Sequence, residues 1–475
     1  MSGLITCMAM AVTVGLLAGW TRPGAAETGQ PGEPDCVVIN LADTHSAYEH
    51  YPRLVAQVDR LVADYPRSEH VFLINGDVFE YANAVARKSQ GAADWAVLRR
   101  LRQHGPVILN LGNHEFDFLA PEQLVQRAEA AGVTVIGTIG LAGRAAPLVP
   151  ATADLEFGER VVRIVGIATD NRNTYPPDRR ETLMIPDPVA WARAHIGPAL
   201  AGADYGILLS HAGLTADKAI VSGLPEPFLF AVGGHDHLVL QSEIDGTPYR
   251  HHGAYGERLS VATVRFVDGA PRVTFYDHVF AADDPVDSTL SEFIRALERR
   301  HLSPEETAMI GRIPRPLALH EAAHWVVETL RGALGVDAVL LNHTSFGSGL
   351  SAGPLRRYHF DRFLRFDNPL VETEVDGRTL ARLLARSNPS RQTPLRDRTG
   401  DFVYATRLEP EPEKRYRIAT SAWVAMEPNQ ARYLGTNLEF QRMEGLTTKG
   451  VLEDQLEQTL ARDAAVSGPA RPRAD

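Results

Sequence analysis

Residues 107–117 read Val-Ile-Leu-Asn-Leu-Gly-Asn-His-Glu-Phe-Asp. A short run of β-forming apolar residues breaks at Gly112 into a packet of polar side chains, the pattern of a buried strand running into a loop. Two earlier runs end in the same way: CVVINL (36–41) leads into Asp43-Thr44-His45, and VFLIN (71–75) leads into Gly76-Asp77. Two later strand candidates end in Ser210-His211-Ala212-Gly213 and in Gly233-Gly234-His235-Asp236-His237. Helical spacing of apolar residues over 54–62 and 95–101 separates the first three strands. Each interval is about one β-α-β unit, which predicts a layered α/β domain.

In an open α/β sheet the carboxyl ends of the strands share one rim, where ligands bind. The polar packets are therefore expected to converge. A cluster of Asp, Asn and His is strongly unfavourable unless something neutralises and coordinates it, and metal ions do both. Imidazole and carboxylate donors without thiolate suit zinc, manganese, iron or cobalt, and the number of donors suits two ions. Taken singly, Asp43 reads as a helix cap and His211 as a structural histidine. Their ordered recurrence at five strand ends points to chemistry instead.

The rest of the composition sets bounds. The chain has 475 residues, 44% hydrophobic and 23% charged, so most of it is globular rather than disordered. Its net charge of −11 argues against a nucleic-acid polymer as partner. It does not oppose a small anionic substrate at a local metal site. Leu4 to Trp20 is one apolar run followed by Gly24-Ala25-Ala26, the pattern of a secretory signal over 1–26. The expectation is a periplasmic or secreted protein with no membrane span once that signal is cleaved. Cys36 is then the one remaining thiol, expected in the core.

The pattern Asp-x-His, Gly-Asp, Gly-Asn-His-Glu-Phe-Asp, His and Gly-His-x-His resembles that of the calcineurin-like metallophosphoesterases. With the leader and a second domain, the chain is similar to the bacterial 5′-nucleotidase/UDP-sugar hydrolase family. The resemblance implies a four-layer α-β-β-α sandwich followed by a smaller α/β C-terminal domain. The corresponding division is a tether at 27–34, a metallophosphoesterase domain at 35–283, a linker helix at 284–304, a substrate domain at 305–462 and a flexible tail at 463–475. It also implies two divalent cations, the first held by Asp43, His45 and His237, the second by Asn113, His211 and His235, with Asp77 bridging. His114 would be the catalytic imidazole and Asp117 its orienting carboxylate. The implied substrate is a small phosphorylated molecule, a nucleotide above all.

The second domain departs from the family. Over 342–353 Asn342 matches the family's Asn-x-Gly-Gly-x-Arg segment, but Thr344 and Ser345 replace the glycines and Gly347 replaces the arginine. Arg356 and Arg357 are the nearby guanidinium groups considered as replacements. Phe366-Asp367-Asn368 matches Phe-x-Asn, making Phe366 a candidate base platform and Asn368 a candidate polar contact. Tyr433, or Trp423, is expected to give the second stacking face. These departures leave two alternatives standing beside nucleotide hydrolysis. One is a cyclic phosphodiesterase or thiosulfohydrolase-like enzyme on the same scaffold, and the other is a non-catalytic envelope binding protein. His320-Glu321-Ala322-Ala323-His324 fits a zinc-protease signature, but no third ligand follows it, and it reads as an incidental pair.

Overall fold

The computed structural model describes residues 33–466, except 145, 226–227, 282 and 387–393. The expected signal at 1–26 and most of the tether lie outside the described residues. Among the described residues no helix is long and apolar enough to cross a membrane.

Two six-stranded sheets form the first domain. In one, Cys36–Leu41, Glu69–Asn75, Val107–Asn110 and Thr134–Ile136 run parallel, and Arg258–Val267 and Ala270–Val279 extend the edge antiparallel. In the other, Thr247–His252, Phe228–Gly233, Tyr205–His211 and Arg160–Ala168 run parallel between two antiparallel edge strands. Side chains alternate across each strand, so each central strand feeds two cores. Cys36, Val38, Val71, Leu73 and Ile108 face Val162, Ile164, Ile207, Leu209 and Phe230 between the sheets. Val37, Ile39, Phe72, Ile74, Val107 and Leu109 face the helices Tyr51–Asp64 and Ala92–Arg102. Val165, Ile167, Leu208 and Ala231 face the helices Pro188–Ala199 and Leu214–Val221. The result is the four-layer α-β-β-α sandwich, with Cys36 a buried thiol.

Buried amides pin the two sheets together at their carboxyl ends. Asn75 Nδ2 donates to the carbonyls of Ser210 (2.9 Å) and Val232 (3.1 Å) in the facing sheet. Asn110 Nδ2 donates to Asn75 Oδ1 (2.9 Å), Ile167 O (3.0 Å) and Leu209 O (3.1 Å). An amide buried without partners would be costly, and these bonds instead fix the distance between the two halves of the rim.

Helix Ser288–His301 leads into the second domain. There a five-stranded sheet is ordered Val403–Ala405, Ala338–Asn342, Arg415–Ser421, Pro369–Asp376, Gln441–Thr447. Leu319–Leu334 packs Ala322, Ala323, Val326, Val327 and Leu330 onto one face, an amphipathic stripe of helical period. The last helix, Thr448–Val466, continues past residue 462, and 467–475 lie outside the described residues.

Several ties cross between the domains. Lys218 Nζ donates to the carbonyls of Leu395, Arg396 and Arg398 at 3.2, 3.0 and 2.7 Å. Lys88 pairs with Glu306 at 2.6 Å. Tyr255 donates to Phe346 O at 2.5 Å.

Candidate active site

The strand ends do converge. Asp43, His45, Asp77, His235 and His237 all have positive φ, between 46° and 74°. That conformation is strained for residues with a Cβ, and clusters of such residues mark functional sites. It turns each side chain back over the rim. Glu115 holds the loops in this shape: its carboxylate accepts from the backbone N–H of Asp77, Val78 and Gly112 at 3.1, 2.8 and 2.7 Å. Gly112 is required here, because a Cβ would come within 2.3 Å of Asp77 Oδ1.

Two groups of donors result. Asp43, His45 and His237 can each aim one ligand atom at a common point, and so can Asp77, His211 and His235. His45 Nε2 faces His237 Nε2 at 2.9 Å, and His237 Nε2 lies 3.6 Å from Asp43 Oδ1. His211 Nε2 lies 3.1 Å from Asp77 Oδ2 and 3.9 Å from Asp43 Oδ1, so the two groups adjoin. Asn113 Oδ1 meets His235 Nδ1 at 2.9 Å, placing the seventh expected donor beside the second group.

The outer partners set the tautomers. His211 Nδ1 faces the carbonyl of Asn75 at 2.7 Å, and a carbonyl only accepts, so Nδ1 carries a proton and Nε2 is the nitrogen turned to the donor group. Against burial, the carboxylates of Asp77 and Asp43 raise His211 to about 10 in the metal-free protein, so a cation taking Nε2 would displace a proton. Tyr255 spends its hydroxyl proton on Phe346 O, so His237 Nδ1, 3.1 Å away, donates to it and leaves Nε2 free. Such outer hydrogen bonds orient metal-ligating histidines. Burial first, then the Arg365 charge, lowers His45 to about 4. Burial also holds His235 and His237 well below their usual range, so these three imidazoles are neutral donors. Asp43 Oδ2 is buried with no hydrogen-bond partner. A buried carboxylate oxygen left over among neutral imidazole lone pairs is what a divalent cation would satisfy. The residues therefore fit divalent metal binding.

His114 stands beside this centre. Its Nδ1 bonds Asp117 Oδ2 at 2.9 Å, and its ring lies edge-on to His45 at 4.9 Å between centroids. Burial works to lower its pKa, and the carboxylates of Asp117 and Asp77 outweigh it, raising His114 to about 9.

The centre opens into a cavity of about 660 Å³ whose walls come from both domains. Phe366, Asn368 and Tyr433 all line it. Their presentation differs: Phe366 is 40% exposed, whereas Tyr433 is 3% exposed, packed against Trp423 at 5.4 Å between centroids. Across from the second domain Tyr81, 57% exposed, comes from the loop after Asp77, with the Arg87 guanidinium 4.5 Å over its ring. Arg356 and Arg357 do not line the cavity. Arg356 bonds Thr307 O and Arg357 bonds Glu453, because both lie at the start of the helix Arg357–Phe363 on another face. His320 and His324 belong to none of the metal-competent groups among the described residues, and Glu321 pairs with Arg315.

Sequence reading passed over Glu80, Tyr255, Arg365 and the Asp401–Arg432 pair at 3.0 Å. Glu80 lies three residues beyond Asp77, and Arg365 immediately precedes the quoted Phe366. Both were adjacent to motifs without belonging to them.

Fold and site together define a metal-dependent phosphoester hydrolase of two α/β domains. Residues 37–239 match the calcineurin-like phosphoesterase family. No curated protein sequence matches the chain. Over about nine-tenths of the chain the fold is similar to that of solved 5′-nucleotidase structures. The 5′-nucleotidase precursor of Thermus thermophilus is 18% identical, with a TM-score of 0.62 over 89% of this chain and 96% of that one. The sulfate thiohydrolase SoxB of the same species gives 15% identity and a TM-score of 0.62 over 91% and 95%. The 5′-nucleotidase of Candida albicans gives 13% and 0.59 over 90% and 99%.

Proposed function

We propose that the protein is an exported dimetal phosphohydrolase of the 5′-nucleotidase type, acting on nucleotides or related phosphate monoesters. The observation that carries this reading is the meeting of Asp43, His45, Asp77, Asn113, His211, His235 and His237 in one buried centre that opens on a two-domain cavity. Asp43, His45 and His237 would hold one ion, Asn113, His211 and His235 the other, with Asp77 shared. When bound, two divalent cations supply Lewis-acid stabilisation of an in-line phosphoryl displacement and an activated water.

The chain's own residues do the rest. His114 presents Nε2 to the substrate while Asp117 holds Nδ1, so an imidazolium donor is kept oriented beside the transferring group. Phe366 offers an open ring for a base, with Asn368 beside it.

The test is phosphate release from a panel of AMP, UDP-glucose, cyclic nucleotides and p-nitrophenyl phosphate, with manganese or zinc added to the full chain. Release from AMP supports the reading. Tight nucleotide binding with no turnover of any ester would replace it with a binding protein. The equal likeness of the fold to the sulfate thiohydrolase motivates a second reading, and sulfur-linked esters belong in the same panel. Preference for them over AMP would favour a thiosulfohydrolase.

A further inference from the structure

A third gathering of donors lies beside the two already described: His45, Glu80 and His114 also bring ligand atoms together. This one already contains a cation. The guanidinium of Arg365, from the second domain, sits in it. Its Nη2 lies 2.5 Å from Glu80 Oε2, 3.2 Å from His114 Nε2 and 3.4 Å from His45 Nδ1. Arg365 is 6% exposed and lines the cavity.

Local backbone pairing puts it there. Segment 345–347 runs antiparallel to 363–365: Gly347 N bonds Phe363 O at 2.7 Å, Arg365 N bonds Ser345 O at 2.9 Å, and Phe346 bridges Leu364. The pairing is so close that a Cβ at Gly347 would fall 2.2 Å from the carbonyl oxygen of Arg362. Position 347 therefore cannot carry an arginine in this backbone, while Arg365, on the paired segment, delivers one to the hydrolytic rim.

We infer that Arg365 grips the anionic oxygens of the scissile group beside His114, so that the second domain completes the hydrolytic site as well as enclosing it. This rests on the hydrolase reading above and names a specific contact within it. A guanidinium has five N–H donors in a planar fork. Arg365 uses part of the fork on Glu80 and on Thr344 O at 3.3 Å, and its guanidinium carbon lies 5.2 Å over the Phe366 ring. Its buried Nε has no hydrogen-bond partner. A group serving solely to tie the domains through Glu80 has no reason to place Nη2 against the Nε2 of His114, the one ring nitrogen that Asp117 leaves free. Two donors converging from opposite domains make an oxyanion cradle, and an Arg fork matches phosphoryl oxygens in a way a lysine does not. Glu80 is the positioning residue: it fixes the fork and lies 3.4 Å from His45 Nδ1.

The test uses the full chain loaded with manganese, with metal content measured for every variant and all values expressed per metal-loaded site. Inorganic phosphate binding is read by calorimetry and p-nitrophenyl phosphate hydrolysis by kcat and KM. Arg365→Ala is expected to weaken phosphate binding about 30-fold and to lower kcat/KM by roughly 100-fold or more. Arg365→Lys, which keeps the charge, should still bind phosphate at least about fivefold more weakly. It serves as the readout if Arg365→Ala does not fold. The double variant Glu80→Gln/Arg365→Ala removes both buried charges and should stay impaired. Phosphate binding within about threefold of the parent in Arg365→Ala, or in Arg365→Lys where that is the readout, overturns the inference. Recovery of the double variant to that level also overturns it, since Arg365 would then merely neutralise Glu80. If the parent chain turns over no ester yet loses phosphate binding on Arg365→Ala, the hydrolase reading falls and the anion contact stands. A parent chain that binds no phosphate removes the contact itself.

Discussion

The two walls of the cavity were built by different means. On the first domain the donors stand at or just after strand ends, and a left-handed turn carries five of the seven, Asp43, His45, Asp77, His235 and His237. On the second domain the groups come from mixed settings, Tyr433 from a short helix and Arg365, Phe366 and Asn368 from the loop before a strand, and Arg365 spans the domain boundary to Glu80 and His114. The first arrangement is set by backbone geometry within a few residues of each strand. The second depends on where a whole domain is docked. On the proposed function the first wall would hold the ions and His114, and the second would add the Arg365 fork and the Phe366 ring. Catalytic groups need sub-ångström placement, which strand ends supply better than loops.

Variants on each side can break or sharpen this contrast. The largest effect is expected from Asp77→Asn on the first wall. Phosphate release should fall by roughly a thousandfold or more and bound metal should drop, because Asp77 faces His211 at 3.1 Å at the centre of the cluster. Retained metal and turnover in Asp77→Asn would dissolve the distinction between the walls. His114→Ala should cost roughly 100- to 10,000-fold in kcat with metal content unchanged, which phosphate release and metal analysis check together. Asn75→Leu probes what holds the first wall rigid. Loss of its bonds to Ser210 O and Val232 O should cost on the order of 2–4 kcal/mol in denaturant unfolding and weaken metal binding. On the second wall, Phe366→Ala should raise KM for nucleotides about tenfold while leaving p-nitrophenyl phosphate nearly unchanged, the cost of one stacking face. Equal losses on both substrates would mean that Phe366 supports the fold instead of a base.

The mildest case concerns stability away from either wall. Asp94 is buried under Tyr48 and Tyr51, whose hydroxyls lie 2.7 and 2.8 Å away. Burial raises its pKa to about 6, against the pull of the two tyrosines. The folded state then holds the proton more tightly than the unfolded chain. The associated stability is full below about pH 4 and is lost as pH rises to about 6. Asp94→Asn, which mimics the protonated acid, should flatten that slope, a change on the order of 2 kcal/mol. Parallel pH–stability curves for the two proteins would contradict it.

How much could be read from the chain follows the same division. The sandwich was legible because its strands are short Val/Ile runs with a period of two feeding two cores, and because its ligands sit within a few residues of those runs. Glu115 lies inside the Gly112–Asp117 motif, but that its carboxylate ties the backbone N–H groups of Asp77, Val78 and Gly112 follows only from the fold. Asn75 and Asn110 were written as strand residues, and nothing in a one-dimensional pattern says that their amides reach into the facing sheet. Arg365 was invisible for a related reason: a long side chain has several directions to go, and its target, Glu80, lies far away in the chain and in the other domain. An aromatic ring at Tyr433 is legible in the chain, but its burial against Trp423 is not, nor are the guanidinium groups of Arg365 and Arg87 over the more exposed Phe366 and Tyr81. Gly347 looked like a simple loss of an arginine until the passing carbonyl of Arg362 showed why no side chain fits.

The first strand runs toward the rim, so its starting end at Cys36 lies on the opposite side of the molecule from Asp43. Six strand residues separate those faces by about 20 Å. A bead, a dye or a fusion partner joined ahead of Glu33 therefore approaches from behind the catalytic mouth. Captured by that end, the protein would keep its opening turned toward the bulk liquid, and immobilised turnover should match that of the free molecule.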